Sequence, residues 1–359
     1  MKVLFIAQYG ARAASSRTRV FDYLPLLQRA GVETTLKVVV PDPLVERMAS
    51  KGRISRLVYY VRSWWRACGV GWMCLFHVSR YDLLFIQKVL FPFPIPCFLK
   101  AFRHKIVFDF DDAIFTTEAP EASWLHRLRT RRRESGLPAM LRASGHVVIE
   151  NAYTAAYAKS YGCEVFRITG PIDTERYRPG VPKKKEEVVL GWIGSPTTTR
   201  YLDLIRKPLD ELGKRFSHLR VCLIGSEAFR LDTLPTTQVP WSLDTEVDHL
   251  RTFDIGLMPL PDDAFTRGKG GYKLLQYLAM GIPVVASPVE INREIVEDGV
   301  NGFLAGDEAE WVDCLERLIV DRELRQKMGQ AGREKMEQQY SLRRSSQRLL
   351  DLLTQVANR

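Results

Sequence analysis

Short, almost uninterrupted apolar runs recur along this chain, and segments of helical periodicity separate them. The runs are rich in Val, Ile and Phe, which is typical of parallel strands that are covered on both faces. They lie at 2–7, 33–40, 82–88, 105–110, 146–150 and 165–168 in the first half, and at 188–194, 220–225, 254–260 and 282–287 in the second. Two such series predict an α/β protein with two doubly wound, Rossmann-like domains.

The boundary between the two series is a segment rich in turn residues, TGPIDTERYRPGVPKKKEE at 169–187. A length of 359 residues also fits two domains. We therefore predict an N-terminal domain at 1–170, a linker at 171–187 and a C-terminal domain at 188–335. The region 336–359 is predicted to hold a C-terminal helix, with Ser341 as its N-cap, that packs back across the domains.

The charge balance indicates anionic partners. Lys and Arg number 52 and Asp and Glu 42, a net charge of +10, which fits nucleotides, phosphates or a membrane surface. No RNA- or DNA-binding signature is present, so nucleic acid is not an expected partner.

The start of the chain lacks a secretory signal, and no run reaches the roughly 18 apolar residues that a membrane span needs. The expected location is the cytoplasm, either in solution or peripherally at the inner face of the cell membrane.

In open parallel sheets, ligands bind beyond the carboxyl ends of the strands, and two facing sheets would leave a cleft between domains. One segment after such a strand, RGKGGYKLLQYLAMGIPVVAS at 267–287, places glycines and lysines directly before an apolar helix. We expect this helix to run from near Tyr272 to near Gly281, with Lys273 and Gln276 facing away from the core together.

This helix start has two interpretations. The glycines allow close backbone approach, while the first-turn N–H groups, the helix dipole and Lys273 attract anions, so a diphosphate is one predicted ligand. Gln276 would then lie near the attached sugar or ribose. The alternative is an ordinary surface helix that carries a solvated lysine, because the segment is neither a Walker loop nor a GxGxxG fingerprint.

The segment resembles the donor-site region of GT-B glycosyltransferases of family 4. That region reads as a glutamate, seven residues, a second glutamate, then Ala-Met-Ala-x-Gly-x-Pro-Val-Val. Here QYLAMGIPVVAS places Gln276 at the second glutamate and Gly268 at the first. Both acidic residues, which in the family hold the ribose and sugar of the donor, are replaced.

Other segments resemble the family in the same order. GWIGSPTTTRYLDLI at 191–205 resembles the first strand–helix turn of the C-terminal domain, and SPVEINREIVEDGVNGFLA at 287–305 resembles a later phosphate loop. The resemblance implies a GT-B fold and a nucleotide-diphosphate sugar as substrate, with no cofactor. The donor-binding residues that follow are Gly194, Ser195, Arg267, Lys269, Gly270, Lys273, Gln276, Glu290, Ile291, Asn292 and Glu294.

A basic turn into a helix, QYGARAASSRTRVFDYL at 8–24, follows the first strand. If this turn faces the cleft, it holds the acceptor or the phosphates of the donor. The alternative is a simple strand–helix connection. The candidate acceptor-binding residues here are Gly10, Ser16, Arg17 and Arg19.

Three carboxylates follow a strand in VFDFDDAIF at 107–115. Strand alternation would send Asp109 and Asp111 to one side and Asp112 to the other. Three interpretations are open: a magnesium site, an acceptor or catalytic contact, and capping of the next turn. Since the GT-B resemblance implies metal-independent chemistry, we expect no metal here, and we take Asp112 as a candidate catalytic residue and Asp111 as an acceptor contact.

Two segments are rich in arginine, and one of them also carries aromatic residues. HRLRTRRRESG at 126–136 carries Arg127, Arg129, Arg131, Arg132 and Arg133, and the segment at 53–76 carries several Trp and Arg. They suit an interfacial surface on anionic lipid, or alternatively a solvated basic helix and a core helix.

The predicted function is that of a glycosyltransferase of the hexosyltransferase type, with Lys273 stabilising charge on the departing diphosphate. The family resemblance implies retention of anomeric configuration. The acceptor would be a sugar, either lipid-linked or in a cell-surface polysaccharide. Two alternatives stay open: a nucleotide-sugar epimerase of GT-B fold, and a non-catalytic protein that binds nucleotide sugars or polyanions.

Overall fold

The computed structural model of the protein describes residues 1–49, 53–116, 124–180 and 186–359. The chain divides into two compact units. Unit 1 comprises Met1–Pro171, Gly268–Gly270 and Leu342–Arg359, whereas unit 2 comprises Ile172–Arg267 and Gly271–Ser341.

Unit 1 contains a parallel six-stranded sheet with the order β2-β1-β3-β4-β5-β6. Its strands are β1 (Lys2–Tyr9), β2 (Glu33–Val40), β3 (Leu83–Gln87), β4 (Ile106–Asp109), β5 (His146–Ile149) and β6 (Glu164–Arg167). Its helices are α1 (Ala14–Ser16), α2 (Leu24–Arg29), α3 (Asp42–Ala49), α4 (Arg53–His77), α5 (Ile95–Leu99), α6 (Trp124–Ala143), α7 (Ala152–Lys159) and, from the C-terminus of the chain, α14 (Leu342–Ala357).

Unit 2 contains a second parallel six-stranded sheet, with the order β12-β11-β10-β7-β8-β9. Its strands are β7 (Val188–Ile193), β8 (Leu219–Ile224), β9 (Thr236–Val239), β10 (Ile255–Met258), β11 (Val284–Ala286) and β12 (Gly302–Leu304). Its helices are α8 (Arg206–Arg215), α9 (Glu246–Leu250), α10 (Tyr272–Ala279), α11 (Ile291–Ile295), α12 (Glu308–Val320) and α13 (Arg322–Lys335), preceded by a long 3₁₀ segment at Pro196–Ile205.

Each sheet is buried on both faces, which explains why its strands are almost continuously apolar. In unit 1, alternate residues of β1 point into different clusters: Leu4 and Ile6 pack in the core under α4 to α6, and Val3 and Phe5 in the core under α2 and α14. In unit 2, β7 and β8 likewise contribute to one core with α8 and α12 and to another with α10. The predicted α/β class with two doubly wound sheets is confirmed.

All ten predicted strands are present, and the structure adds β9 and β12. These two strands lie at the edges of the second sheet and have only four and three residues. The sequence of β9, TTQV, is polar and partly exposed. An edge strand of this kind lacks the apolar run by which the central strands are recognised.

The segment predicted as a linker is partly built into unit 2. Ile172 is fully buried and Tyr177 is 2% exposed, and both belong to an apolar core of that unit. Residues 181–185, with the lysine run, lie outside the described residues. At the other end of the chain, Met336–Tyr340 belongs to unit 2, whereas α14 packs against α2 and β3 of unit 1.

Candidate functional site

In unit 2, the order in which the chain adds strands to the sheet reverses between β7 and β10. The chain passes from β7 to β8 and β9 on one side, and then returns to β10, β11 and β12 on the other. Loops at the carboxyl ends of two such strands diverge and leave room for a ligand. Gly194 follows β7 at this point, and the chain after β10 leads through Thr266–Gly268 to the start of α10.

The N-terminus of α10 has no side-chain cap among the described residues. Its N-cap residue is Gly271, with φ +69°, which has no side chain to accept a hydrogen bond there. By contrast, α12 and α13 are capped by the carboxylates of Asp307 and Asp321. A Cβ on Gly271 would lie 2.6 Å from Ile295 Cδ1, so glycine is required both for the left-handed backbone and for space. A helix start of this kind attracts anions.

Lys273 and Gly194 come together at this helix start. Lys273 Nζ lies 4.1 Å from the ring centroid of the buried Trp192, and a Cβ on Gly194 would lie 2.7 Å from the same nitrogen. The cation–π contact holds the ammonium group next to Gly194. Two residues predicted from separate motifs thus form one positively charged surface at the carboxyl end of β7.

The predicted exposure of Gln276 is wrong. Gln276 is 4% exposed, because α10 packs against β10 and β11 as well as against α13. Its Nε2 donates to Tyr177 Oη at 3.2 Å, and Tyr177 Oη donates to Glu246 Oε1 at 2.5 Å. Burial, and secondly the charge of Glu246, raise the pKa of Tyr177 to about 12. The residue at the position of the second family glutamate therefore connects to a buried carboxylate elsewhere in the unit.

Two further predicted donor residues have partners within unit 2. Ser195 begins the 3₁₀ segment at Pro196–Ile205 and forms a capping box with Thr198. Arg267 forms a two-point ion pair with Asp262, Nε to Oδ1 at 2.6 Å and Nη2 to Oδ2 at 3.1 Å, and is 45% exposed. Both lie in loops at the carboxyl ends of the strands.

The loop after β11 carries the remaining donor candidates of unit 2. Glu290 has a φ of +32°, which is rare for a non-glycine residue, and Ile291 begins the five-residue helix α11. Asn292 is fully buried; its Nδ2 donates to Ser287 O at 2.9 Å, and its Oδ1 has no partner among the described residues. Glu294 is exposed, and its carbonyl accepts from Lys335 Nζ at 3.0 Å.

Lys269 and Gly270 are part of unit 1. Asn151 Nδ2 donates to the carbonyl of Lys269 at 2.9 Å. A Cβ on Gly270 would collide with the carboxylate of Glu150, so the backbone at Gly270 packs directly on that side chain. Because Asn151 also caps α7, through a 2.9 Å hydrogen bond from Thr154 N, this contact is anchored to the carboxyl end of β5.

In unit 1, the order in which the chain adds strands reverses between β1 and β3. Ser16 lies at the carboxyl ends of these two strands. Its Oγ accepts from Tyr9 N at 3.1 Å and donates to Gln87 Oε1 at 2.9 Å. Gly10 lies so close to the Asp42 carboxylate that a Cβ would collide with it. Arg17 is 8% exposed, with Nη1 3.4 Å from the carbonyl of Arg12.

Arg19, a predicted acceptor contact, is instead a buried structural cation. It is 1% exposed and forms an ion pair with Asp109, and its Nη1 lies 3.3 Å from Glu150 Oε1. The same nitrogen donates to the carbonyls of Ile168 and Gly170 at 2.6 and 2.9 Å. Burial raises the pKa of Asp109 and that of Glu150, and the Arg19 charge opposes both shifts.

Asp111 and Asp112 converge on one lysine, which the alternation argument did not predict because β4 ends at Asp109. Lys88 Nζ forms an ion pair with Asp111 and lies 3.5 Å from Asp112 Oδ2. Burial acts to raise the pKa of Asp111, but the Lys88 charge and hydrogen bonds from Lys88 and Ser15 lower it to about 2. Asp112 is 41% exposed in its side chain and is the more accessible carboxylate.

Lys88 and Glu150 were missed from the sequence, although a usable signal existed. Each is the last residue of a predicted strand, 82–88 or 146–150, and directly follows the observed strand, β3 or β5, so the rule that ligands bind at carboxyl ends covers both. Lys88 also has a φ of +59°, a strained conformation of the kind found at functional sites. Glu246 carried no comparable signal, because its importance depends on Tyr177 and Gln276, which are distant in sequence.

No group of three or more His, Cys, Asp and Glu side chains that could hold a metal ion occurs among the described residues. Of the arginine-rich segment, the side chains of Arg127, Arg129, Arg131 and Arg132 lie outside the described residues. Within the described part of the chain, no helix is long and apolar enough to cross a bilayer.

Comparison with solved structures shows the fold. The chain is similar to sucrose-phosphate synthase from Thermosynechococcus elongatus, with a TM-score of 0.68, 12% identity and coverage of 99% of both chains. It is similar to HepE from Anabaena, solved in complex with UDP, with a TM-score of 0.64, 15% identity and coverage of 99% of this chain and 100% of that chain. It is also similar to WaaG, a glycosyltransferase involved in lipopolysaccharide biosynthesis, with a TM-score of 0.64, 14% identity and coverage of 98% and 99%.

Comparison with curated proteins returned no match. A family model described as Glycosyl transferases group 1 matches residues 187–321, which include β7 to β12 and the start of α10. The chain thus has the GT-B fold, and its second sheet lies within the residues that the group 1 model matches.

Proposed function

We propose that this protein is a glycosyltransferase that moves a sugar, as a hexosyl group, from a nucleotide-diphosphate donor to a hydroxyl acceptor. The observation that carries the proposal is Lys273 Nζ beside Gly194, at a helix N-terminus that no described side chain caps, inside the group 1 domain. Anabaena HepE, which has the same fold, has been solved with UDP and with UDP-glucose. A uridine nucleotide is therefore the first ligand to test.

The chemistry of such a transfer needs positive charge at the leaving group. As the bond from the sugar to the diphosphate breaks, negative charge grows on the diphosphate. Lys273 and the N–H groups at the start of α10 stabilise that charge. Retention of configuration is part of the proposal, supported by the family resemblance. In that mechanism the departing phosphate accepts the proton of the acceptor hydroxyl, so Asp112 has only to orient the hydroxyl.

We propose that the reaction needs no metal ion. The carboxylates that could hold one are already paired with cations: Asp109 with Arg19, and Asp111 and Asp112 with Lys88. Charge at the diphosphate is supplied by Lys273 and the helix dipole instead. These pairings, rather than any missing ion, support the proposal.

The acceptor, in our proposal, is lipid-linked and reached from an anionic membrane surface. Helix α4 carries an exposed apolar stripe, which we call the α4 stripe, within about 120° of its circumference at 100° per residue. Trp65 is 66% and Phe76 75% exposed, and Trp72 contacts both Phe76 and Phe98 with ring centroids 6.2 and 5.8 Å apart. The stripe consists of Leu57, Val58, Val61, Trp64, Trp65, Trp72 and Phe76.

Arginines lie next to one edge of this stripe, an arrangement that suits anionic lipid. Arg62 and Arg66 are exposed on the same helix, and Arg66 Nε is anchored to the carbonyl of Val39 at 2.7 Å. Aromatic rings at headgroup depth next to arginines are typical of proteins that bind a membrane interface. A protein bound in this way would act at the inner face of the cell membrane.

The proposal is tested first by donor binding. A panel of nucleoside diphosphates and their sugars is titrated into the protein by calorimetry, with Lys273→Ala measured alongside. We expect binding of at least one nucleotide sugar and a loss of affinity of tenfold or more in Lys273→Ala. Absence of nucleotide binding, or equal affinity in the variant, would contradict the proposal.

Product analysis then separates transfer from other activities. The donor that binds is incubated alone and with membrane lipid extracts, and both sugar and nucleotide products are identified. Release of nucleoside diphosphate with a glycosylated lipid supports transfer. Isomerised donor without acceptor indicates an epimerase, and tight binding without any product indicates a binding protein.

A further inference from the structure

A cavity of about 550 Å³ lies on unit 2 at the edge of its sheet opposite to Gly194. Glu187, Asp254 and Pro283 line it, and these residues precede β7, β10 and β11. Because the strands are parallel, all three residues lie at the amino ends of the sheet, whereas Gly194 lies at a carboxyl end. None of the donor candidates lines this cavity, so it is separate from the proposed donor site.

The wall of the cavity carries four arginines: Arg251, Arg322, Arg325 and Arg333. Two of them are held by other groups. Arg251 Nη1 donates to Asp248 at 2.7 Å, and Arg333 donates to Glu337 and to the carbonyls of Thr174, Tyr177 and Ala279. The positive charge that faces the cavity is therefore mainly that of Arg322 and Arg325.

Three acidic side chains also line the cavity, but each has another partner. Glu187 forms an ion pair with Arg220 at 3.1 Å, and Asp254 accepts from the backbone N–H of Val189 at 2.8 Å. Glu334 accepts from Gln330 at 3.0 Å. These contacts leave Arg322 and Arg325 without a direct salt bridge to a carboxylate among the described lining residues.

Arg322 and Arg325 lie three residues apart on α13 and so share a face of the helix. Arg325 Nη1 donates to the carbonyls of Leu318 and Ile319 at the end of α12, which fixes its guanidinium at the cavity wall. Burial lowers the pKa of Arg325; the charge of Asp254 opposes this shift, and that of Arg322 adds to it. Two neighbouring like charges at a cavity are stabilised when an anion lies between them.

The wall also has an apolar part, with Phe253, Met280, Ile282 and Pro283, beside the uncharged polar side chains of Gln326 and Gln330. The volume lies in the range of cavities that bind small molecules. An anion that carries an organic body matches this wall better than a bare inorganic ion.

We propose that this cavity binds an organic phosphate of about the size of a sugar phosphate, with Arg322 and Arg325 contacting the phosphate group. Planar guanidinium groups bind phosphate through paired hydrogen bonds, and Arg325 has its Nη2 and Nε in addition to the Nη1 that is bound to the carbonyls. The organic body of the ligand contacts the wall at Met280 and Ile282.

The test is calorimetric titration of the full chain with glucose 6-phosphate, inorganic phosphate and glucose, at physiological salt, once without UDP and once with UDP in excess. We expect glucose 6-phosphate to bind with a stoichiometry of one, inorganic phosphate more weakly, and glucose not at all. Arg322→Ala, at an exposed position, should lower the affinity for glucose 6-phosphate at least tenfold. Arg325→Lys keeps the charge but loses the planar guanidinium group, and should lower the affinity for glucose 6-phosphate several-fold.

The matched control is Arg317→Ala, which removes the same charge from α12, where Arg317 stacks on Phe303 outside the cavity. This variant should bind like the wild type. The proposal is overturned if glucose 6-phosphate does not bind, if UDP displaces it, or if Arg322→Ala and Arg317→Ala behave alike. The titration measures binding of glucose 6-phosphate and not sugar transfer. It therefore gives a result even if the chain has no glycosyltransferase activity.

Discussion

Lys88 and Asp111, which follow the neighbouring strands β3 and β4 of the first sheet, form an ion pair whose ammonium group also lies 3.5 Å from Asp112. The side chains of Lys88 and Asp111 are only 18% and 13% exposed, so the pair is largely shielded from solvent. The Lys88 backbone, with φ +59°, is held by a 2.7 Å hydrogen bond from its N–H to the carbonyl of Asp109. The fold thus maintains a strained lysine in order to place two carboxylates.

Removing this lysine should cost stability in a pH-dependent way. Asp111 has a pKa of about 2, below its usual 3.8, so it stabilises the fold above pH 3.8 and loses this contribution as the pH falls through 2. In Lys88→Met the charge and hydrogen bond of Lys88 no longer oppose burial, so the pKa of Asp111 rises. We expect a loss of about 3–5 kcal/mol at pH 7 that shrinks toward pH 3, measured by denaturant unfolding.

The control for this prediction is the double variant Lys88→Met/Asp111→Asn, which removes both charges and should recover part of the loss at neutral pH. If Lys88→Met loses the same free energy of unfolding at every pH, the ion pair does not set the pKa of Asp111.

Lys273→Ala should abolish most of the turnover but leave the fold intact. The ammonium group lies on the face of Trp192, so its removal creates little void, whereas the charge at the helix start is lost. We expect a decrease in kcat of about 10²–10³-fold, as is typical for loss of one group that stabilises transition-state charge. Nucleoside diphosphate release and thermal unfolding are measured in parallel, with Lys327→Ala as a charge-matched control. Unchanged kcat would remove Lys273 from the mechanism.

Gly271→Ala should be more destabilising than an ordinary substitution of a left-handed glycine. A side chain at φ +69° costs about 1–2 kcal/mol, and the contact with Ile295 adds about 1–3 kcal/mol. At Gly299, with φ +77°, an added Cβ would have no atom of the described residues within 4 Å, so this position separates the two effects. Denaturant unfolding should show only the smaller loss for Gly299→Ala, and equal losses would argue against crowding at the start of α10.

Gln276→Glu places a second carboxylate near Glu246, since both side chains contact Tyr177 Oη. Burial and the charge of Glu246 should raise the pKa of the new carboxyl above its unfolded value. A carboxyl of that kind destabilises the fold above its unfolded pKa and has no effect below it. We therefore expect a fall in Tm that is largest near pH 8 and disappears near pH 4.

An uncharged variant, Gln276→Met, gives the comparison for the same measurement. Its Tm difference from the wild type should not vary over this pH range. If Gln276→Glu shows no more pH dependence than Gln276→Met, the buried network does not repel a second charge.

The α4 stripe predicts membrane binding that substitution can weaken. The double variant Trp65→Ser/Phe76→Ser removes two exposed aromatic side chains, and co-sedimentation with anionic vesicles should fall at least tenfold. High salt should release the wild type, because the arginines contribute through screened electrostatics. Val320→Ser, at a residue of unit 2 that is 63% exposed, should bind like the wild type. Indifference of the wild type to lipid and salt would rule out this surface.

Particular elements show how far the sequence was sufficient. The ten apolar strands and α10, from Tyr272 to Ala279, were predictable because burial on both faces leaves an uninterrupted apolar signal in the chain itself. Gly194 and Lys273 were each predicted to bind the donor, from the family resemblance and from the helix start, whereas the contact of Lys273 with Trp192 that brings them together was not predicted. The edge strand β9 was not, because its short polar sequence depends on β8 for its hydrogen bonds.

The amino-acid sequence by itself determined the α/β class, the two parallel sheets and the glycine-rich start of α10, because periodicity and backbone freedom are local properties. Only the tertiary structure decided that Arg19 is buried on Asp109, that Lys88 joins Asp111 and Asp112, and that Gln276 faces Tyr177. These contacts join residues that are distant along the chain. Their charges acquire partners only when the strands are placed side by side.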